Sequence, residues 1–155
     1  MSLHAIAYAS EARADLRATD LDRLLADATA FNRVAGVTGV LMFDGSRFLQ
    51  YLEGPEDGID SVFQRIFNAR SHAQMRLLCR APVVQRAFPR WSMGTRRIDA
   101  DLLTQIVDAA WPGSCLEAVV SSACCRPGPV PTASWNPLRS RWVPEPALAA
   151  GYRGR

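Results

Sequence analysis

The sequence predicts an α+β sandwich, and three observations support that prediction. Five short segments are patterned as strands, two longer segments place apolar residues at the three- and four-residue steps of helices, and their order is βαββαβ plus one more strand. A turn with Asp-Gly chemistry joins the second and third strands into a hairpin. This order is typical of a ferredoxin-like sandwich with both helices on one face of the sheet.

The first two elements are a short strand and a long helix. Residues 3–9, LHAIAYA, predict the strand, and ATDLDRLLADATAFNRVAG predicts the helix. We expect Thr19 or Asp20 to cap this helix, and Gly36 lies just past its end. Asn32 lies on or beside its apolar stripe, a position where an amide is unusual.

The hairpin places a second amide among apolar residues. TGVLMF and RFLQYLE form its two strands around the turn DGSR. Phe48, Gln50 and Leu52 share one face of the second of these strands. An unpaired buried amide costs a few kcal/mol, so Gln50 should have a hydrogen-bond partner. Tyr8 shares its own strand face with Ile6, so both polar groups are expected on inward faces.

The second half of the predicted sandwich follows the hairpin. GPEDGIDSVFQRIFNARS predicts the second helix, and MRLLCRAPVV predicts the fourth strand. RWSMG predicts a fifth strand, on which Trp91 and Met93 would share one face. Both side chains can then converge with the polar groups between the sheet and the two helices, and the register of the strand leaves open whether Trp91 points toward that space or outward.

A further helix and a tail are expected after the fifth strand. DADLLTQIVDAAW is amphipathic, begins at Asp99 or Asp101, and should pack on or near the bare face of the sheet. Its apolar side comprises Leu102, Ile106 and Ala109 or Ala110. Seven of the ten prolines fall between Pro112 and Pro146, which excludes long regular elements. We therefore predict a domain at 1–97, a helical extension at 98–125 and an irregular Pro/Arg-rich tail at 126–155.

Composition places the chain among ordinary globular proteins. Its 155 residues are 48% hydrophobic and 21% charged, and no run approaches the about 20 apolar residues of a membrane helix. The N-terminus lacks the pattern of a signal peptide, so we expect a cytoplasmic protein without membrane contact. The tail has five arginines and one glutamate, a net +4. A solvated tail is favoured over a nucleic-acid contact, because the arginines are scattered.

Several kinds of catalytic site are not supported by the sequence. It has neither a G-x-x-x-x-G-K-[ST] nor a G-x-G-x-x-G phosphate loop, and it has no G-x-S-x-G elbow. Its two histidines are isolated, and its four cysteines form no C-x-x-C pair, so neither a catalytic triad nor a metal site is expected.

The inward polar groups suggest a ligand site. Tyr8, Gln50 and Asn32 can converge between the sheet and the two helices, with Trp91 and Met93 beside them. A carboxamide offers both a donor and an acceptor, so two amides and a phenol suit a flat heterocycle with alternating polar atoms, such as a flavin. Each of these groups could instead pair with the backbone.

These same residues resemble a BLUF domain, the flavin-based blue-light sensor module, from about residue 3 to residue 95. The resemblance includes AYAS, FNRVAGVTGVLMFDGSRFLQYLEG, RSHAQM and PVVQRAFPRWSMG. The spacing N-x5-TG-x-L-x8-Q-x-LEG is its most specific part. Ala69, Ser71 and Phe31 depart from the residues that the family often carries at these positions.

The resemblance implies noncovalent FAD between the two helices. Asn32 would bind the pyrimidine edge of the flavin, and Gln50 would bridge Tyr8 and the flavin. Arg65 falls where the family often directs a basic group at the ring, and His72 falls where a family histidine lies near the flavin. Independently of the resemblance, aliphatic residues of the two helices would sandwich the faces of such a ring.

The function implied is that of a blue-light photoreceptor rather than an enzyme. Light would drive electron transfer from Tyr8, and Gln50 would rotate or tautomerise, which would redshift the flavin spectrum. Trp91 and Met93 would pass the signal to a separate effector protein, and we expect a homo-oligomer. The alternatives are a flavin-dependent reductase and a ligand-binding regulatory module without light chemistry on the same fold.

Overall fold

A mixed five-stranded sheet forms the centre of the protein in the computed structural model, which describes residues 2–109 and 111. The strands are β1 (Leu3–Ala12), β2 (Thr38–Phe43), β3 (Arg47–Pro55), β4 (His72–Val83) and β5 (Gly94–Arg97). The helices are α1 (Ala18–Val34), α2 (Glu56–Phe67) and α3 (Ala100–Asp108). The spatial order is β4-β1-β3-β2-β5, with β5 parallel to β2 and the other pairs antiparallel. The predicted ferredoxin-like sandwich is confirmed.

The tail predicted at 126–155 and the later part of the extension at 98–125 lie outside the described residues, as does the pair Cys124-Cys125. Among the residues that are described, no helix is both long enough and apolar enough to cross a membrane.

The ends of α1 follow from its flanking residues. The helix begins after Arg17, whose backbone N–H donates to Asp20 Oδ2 at 3.2 Å, so the predicted caps Thr19 and Asp20 lie inside the first turn. Asp20 acts there by reaching back, which satisfies a donor at the free N-terminal end of the helix. Gly36 follows the helix at a φ of +67°, a left-handed conformation that favours glycine, so its predicted position is confirmed.

The two faces of the sheet carry separate cores. Even-numbered residues of β1 and β3 face α1 and α2, because successive side chains of a strand point to opposite sides. The core of that side contains Ile6, Tyr8, Phe48, Leu52, Ile59, Val62, Leu21 and Leu25. The core of the other side contains Ala5, Ala7, Leu49, Tyr51, Phe88, Leu103 and Ile106.

Helix α3 covers the sheet face opposite α1 and α2, as the sequence predicts. Asp99 caps it by accepting a hydrogen bond from Leu102 N at 2.8 Å. Leu103 and Ile106 are its most buried residues, whereas Leu102 is only partly buried. The apolar stripe is therefore one position away from the one predicted at its first turn.

The prediction of the fifth strand is wrong in two respects, namely its position in the chain and the shared face of Trp91 and Met93. Trp91 and Met93 precede β5, in the connection from β4, and they lie on opposite sides of the sheet. Trp91 stacks on Phe88 on the α3 side, with ring centroids 5.2 Å apart, whereas Met93 packs on the α1 side. The W-x-M spacing matches the two-residue alternation of a strand. Alternation over so few residues, however, cannot distinguish a strand from a loop that crosses the edge of the sheet.

Candidate functional site

A cavity of about 590 Å³ lies between α1 and α2 over the helix-facing side of the sheet. Its floor is formed by Leu41, Gln50 and Met93. Its walls include Ala28, Phe31 and Asn32 from α1, and Val62, Arg65 and Ile66 from α2. This volume falls within the roughly 300–1,000 Å³ of small-molecule sites. The predicted residues Asn32, Gln50, Arg65, His72 and Met93 all line the cavity.

Gln50 on the cavity floor is hydrogen-bonded to Tyr8, which is fully buried and does not itself line the cavity. Tyr8 and Gln50 are directly opposite each other in the β1–β3 register, so their side chains meet on one face. The Tyr8 hydroxyl donates to Gln50 Oε1, so this buried amide has the hydrogen-bond partner that its position requires. Tyr8 is 0% exposed and Gln50 is 3% exposed. Burial raises the pKa of the Tyr8 phenol far above its usual value, so the phenol keeps its proton.

The other end of the Gln50 amide is held as well. Gln50 Nε2 donates to Met93 Sδ at 3.1 Å. The carboxamide therefore has its oxygen toward a phenol and its nitrogen toward a thioether. A half-turn of the amide would exchange these donor and acceptor positions while occupying nearly the same volume.

Asn32 is 1% exposed and lies at the C-terminal end of α1. Its Nδ2 donates to the carbonyl of Ser92 at 2.8 Å. The neighbouring Trp91 carbonyl accepts from Gly39 N at 2.8 Å, so this segment is tied to both α1 and β2. Asn32 thus pairs with backbone on one side and contributes to the cavity wall on the other.

His72 begins β4 at the edge of the cavity. Its Nδ1 lies 2.8 Å from Ser10 Oγ, and its ring lies 5.1 Å from that of Phe48 and 6.1 Å from that of Tyr8. Burial lowers the pKa of His72 to about 4, so the imidazole is neutral at pH 7. A neutral ring can donate from one nitrogen and accept at the other.

The mouth of the cavity is charged. The Arg65 guanidinium lies 4.6 Å from the centre of the Phe31 ring, a cation–π contact that joins α2 to α1. Charged side chains of both signs also line the cavity, namely Arg13, Arg23, Arg70, Asp15, Asp20 and Asp27. Ser71 also lines the cavity, and its buried Oγ has no hydrogen-bond partner among the described residues.

The donor set fits a flat, polar-edged heterocycle. Two carboxamides provide paired donors and acceptors, a guanidinium provides further donors, and aliphatic side chains of both helices face each other across the cavity. Trp91, in contrast, does not line the cavity and packs on the α3 side, so of the two orientations that the sequence leaves open the structure has the outward one. Within residues 2–109 and 111, no three His, Cys, Asp or Glu side chains are grouped as a metal site.

Sequence reasoning missed two participants. Ser10 is two residues after Tyr8 on the same strand, so the alternation that placed Tyr8 on the inward face also predicts an inward Ser10. Ser92 acts through its backbone carbonyl, and no side-chain pattern reveals such a partner.

Comparisons with known proteins agree on one family. Residues 3–94 match the family model of BLUF, described as sensors of blue light using FAD. Photoactivated adenylate cyclase subunit beta of Euglena longa is 29% identical over 93 residues, which are 59% of this chain and 11% of that protein. The blue light- and temperature-regulated antirepressor BluF of Escherichia coli K12 is 33% identical over 78 residues, 50% of this chain and 19% of that protein. The chain thus spans less than a fifth of the length of these curated relatives.

Solved structures of similar fold include one described as a BLUF protein. The dark-state structure of BlrB, a BLUF protein, has a TM-score of 0.64 and 26% identity, over 79% of this chain and 96% of that chain. The photo-activated state of BlsA has a TM-score of 0.61 and 27% identity, over 68% of this chain and 77% of that chain.

Proposed function

Because the chain belongs to the BLUF family, we propose that it is a blue-light photoreceptor that binds FAD noncovalently in the cavity between α1 and α2. The observation that carries this proposal is a chain of contacts that runs from the buried Tyr8 to Gln50 and Met93 on the cavity floor. There the Tyr8 hydroxyl donates to Gln50 Oε1, and Gln50 Nε2 donates to Met93 Sδ. A phenol that can donate an electron is thus hydrogen-bonded to an amide that can rotate. That amide in turn contacts Met93, which directly precedes β5.

Different residues of the cavity would contact different parts of the flavin. Asn32 and Arg65 would hydrogen-bond the polar edge of the flavin ring, and His72 would contact the ring or its side chain. Apolar side chains of α1 and α2 would cover the two ring faces. Arginines at the mouth are suited to the phosphates of the cofactor, since guanidinium pairs with phosphate oxygens bidentately; these are Arg13, Arg23 and Arg70.

The light reaction would use Tyr8 as the electron donor. When bound, the flavin supplies blue-light absorption and an excited state that can accept an electron. Loss of an electron makes the Tyr8 phenol strongly acidic, although burial otherwise holds its pKa far above the usual range. Its proton would pass to Gln50 Oε1, the atom to which the hydroxyl already donates. The carboxamide would then turn or tautomerise, and the electron and proton would return to Tyr8 without net chemistry.

The signal would leave through Met93. Rotation of Gln50 replaces its N–H donor with an oxygen at Met93 Sδ, so the bond at 3.1 Å is lost. Met93 directly precedes β5, and β5 leads into α3 on the opposite face. We propose that this path changes a surface recognised by a separate effector protein or by another copy of the chain. The chain would act as a sensory module rather than as an enzyme.

The test is a blue-light difference spectrum of the purified protein. We expect yellow protein, FAD in the extract released by denaturation, and a redshift that decays in the dark. Tyr8→Phe and Gln50→Leu should both retain flavin and lose the redshift. A wild type without a redshift would contradict the photosensor proposal, and a redshift that persists in Gln50→Leu would contradict the amide switch. Oxidation of NADH by the yellow protein would favour a reductase instead.

A further inference from the structure

Glu53 is a buried carboxylate on the α3 side of β3, outside the cavity. It is 0% exposed. Its Oε1 accepts from Phe88 N at 2.6 Å, and its Oε2 accepts from Ala87 N at 2.9 Å and from the Tyr51 hydroxyl at 3.1 Å. A buried carboxylate is tolerated only when its acceptor sites are satisfied, and two of these donors are backbone amides of one loop.

That loop, residues 84–93, connects β4 to β5 and supplies partners to both amides of the cavity. The Ser92 carbonyl accepts from Asn32 Nδ2 at 2.8 Å, and Met93 Sδ accepts from Gln50 Nε2 at 3.1 Å. The 84–93 loop is therefore held at its middle by a carboxylate on one face of the sheet and at its end by two amides on the other face.

Strand β3 contacts the 84–93 loop on both faces of the sheet, through Gln50 on one face and Glu53 on the other. Gln50 and Glu53 are three residues apart, so the alternation of the strand points them to opposite faces. We propose that Glu53 is a positioning residue for the light reaction, because its carboxylate fixes the 84–93 loop and so presents Met93 to Gln50. This inference rests on the proposed function of the cavity.

The expected consequence concerns the return of Gln50 in the dark. Gln50 Nε2 donates to Met93 Sδ, so we expect the barrier to rotation of the amide to depend on how firmly the loop holds Met93. Glu53→Gln is nearly isosteric, but its NH₂ group cannot accept a hydrogen bond. One of the two amides, at Ala87 or Phe88, then loses its acceptor, and the loop moves more freely. Dark recovery should become faster.

The experiment compares flavin-loaded wild type with Glu53→Gln and a matched control, Tyr51→Phe. The control removes a hydrogen bond to the same carboxylate but leaves both backbone amides bound. After a blue flash, we expect the redshift of Glu53→Gln to decay at least about threefold faster than that of wild type, a change of about 0.6 kcal/mol in the barrier. Tyr51→Phe should decay within about 1.5-fold of wild type. Hydrogen exchange at the amides of Ala87 and Phe88 should accelerate in Glu53→Gln alone.

Two results would overturn the inference while leaving the photosensor proposal intact. One is recovery of Glu53→Gln at the wild-type rate or slower; the other is an equal acceleration in Tyr51→Phe, which would indicate general loosening of this core. If Glu53→Gln fails to fold, Glu53→Asp keeps a carboxyl group on a shorter side chain that cannot reach both amides, and the same acceleration is expected of it. A wild type without any redshift would instead refute the proposed function.

Discussion

The pairing of Tyr8 with Gln50 makes a prediction about stability that needs neither light nor cofactor. Gln50→Leu removes the acceptor of the Tyr8 hydroxyl and leaves that group buried at 0% exposure. Tyr8→Phe removes the donor and leaves Gln50 Oε1 facing a phenyl edge. In the double variant, both partners are apolar, so neither side chain leaves a buried polar group without a hydrogen-bond partner. The three variants therefore form a double-mutant cycle around one hydrogen bond.

The magnitude follows from the burial of the pair. An unsatisfied buried polar group costs about 1–3 kcal/mol, whereas replacing both partners by apolar groups of similar shape is nearly neutral. Gln50→Leu alone should lower the free energy of unfolding by about 1–2 kcal/mol, because the gain from a buried leucine offsets part of the loss. Tyr8→Phe in the Gln50→Leu background should then cost nothing or restore stability. The coupling free energy should be about 1–2 kcal/mol.

The assay is urea unfolding of the flavin-free proteins, followed by circular dichroism and analysed as a two-state transition. Leu25→Ala serves as a control within the same helix-facing core but outside the pair, and its effect should add to that of Tyr8→Phe. Additivity of Tyr8→Phe and Gln50→Leu within about 0.5 kcal/mol would refute the reasoning, since independent sites add and a shared buried hydrogen bond does not.

Three further predictions address the cavity and its surroundings. Asn32→Ala removes the donor to Ser92 O and the proposed flavin contact, so flavin affinity measured by fluorescence titration should fall about tenfold. Gly94→Ala places a Cβ 2.4 Å from the ring of Trp91, so the near-ultraviolet circular dichroism of that ring should change and stability should fall by about 1–3 kcal/mol. Burial lowers the pKa of His72 from 6.5 to about 4, so the unfolded chain binds the proton between these values. Stability of the flavin-free protein should therefore fall by about 1–3 kcal/mol as pH decreases from about 6.5 to about 4, and His72→Gln should lack this component.

Each of these has a contrary outcome. Unchanged flavin affinity in Asn32→Ala would remove that side chain from the site. A Gly94→Ala protein with wild-type stability and spectrum would mean that Trp91 does not pack on the backbone there. Parallel pH profiles for wild type and His72→Gln would show that the imidazole titrates normally in the folded state.

Local patterns in the sequence carry much of the architecture. Alternation in RFLQYLE and in LHAIAYA places Gln50 and Tyr8 on inward faces, and the structure pairs them directly across β1 and β3. The Asp-Gly turn joins β2 to β3, and Gly36 lies just past the end of α1, both as predicted. Such turn and cap conformations depend on neighbouring residues alone. The covering of the bare sheet face by α3 also follows from its apolar stripe, since an exposed apolar stripe and an exposed apolar sheet face are both unfavourable.

The sandwich, the inward polar residues and the resemblance to a flavin-binding family can all be predicted from the amino-acid sequence, because periodicity and motif spacing are properties of short segments. The orientation of Trp91, the loop that supplies Ser92 and Met93 to the amides, and the contact of Glu53 with this loop from the opposite face are visible only in the folded chain. The connection from β4 to β5 crosses the edge of the sheet, and its path is fixed by contacts with residues 35 to 60 positions earlier in the chain. No local pattern encodes contacts over such separations, so the partners of the cavity amides become visible only when the chain is folded.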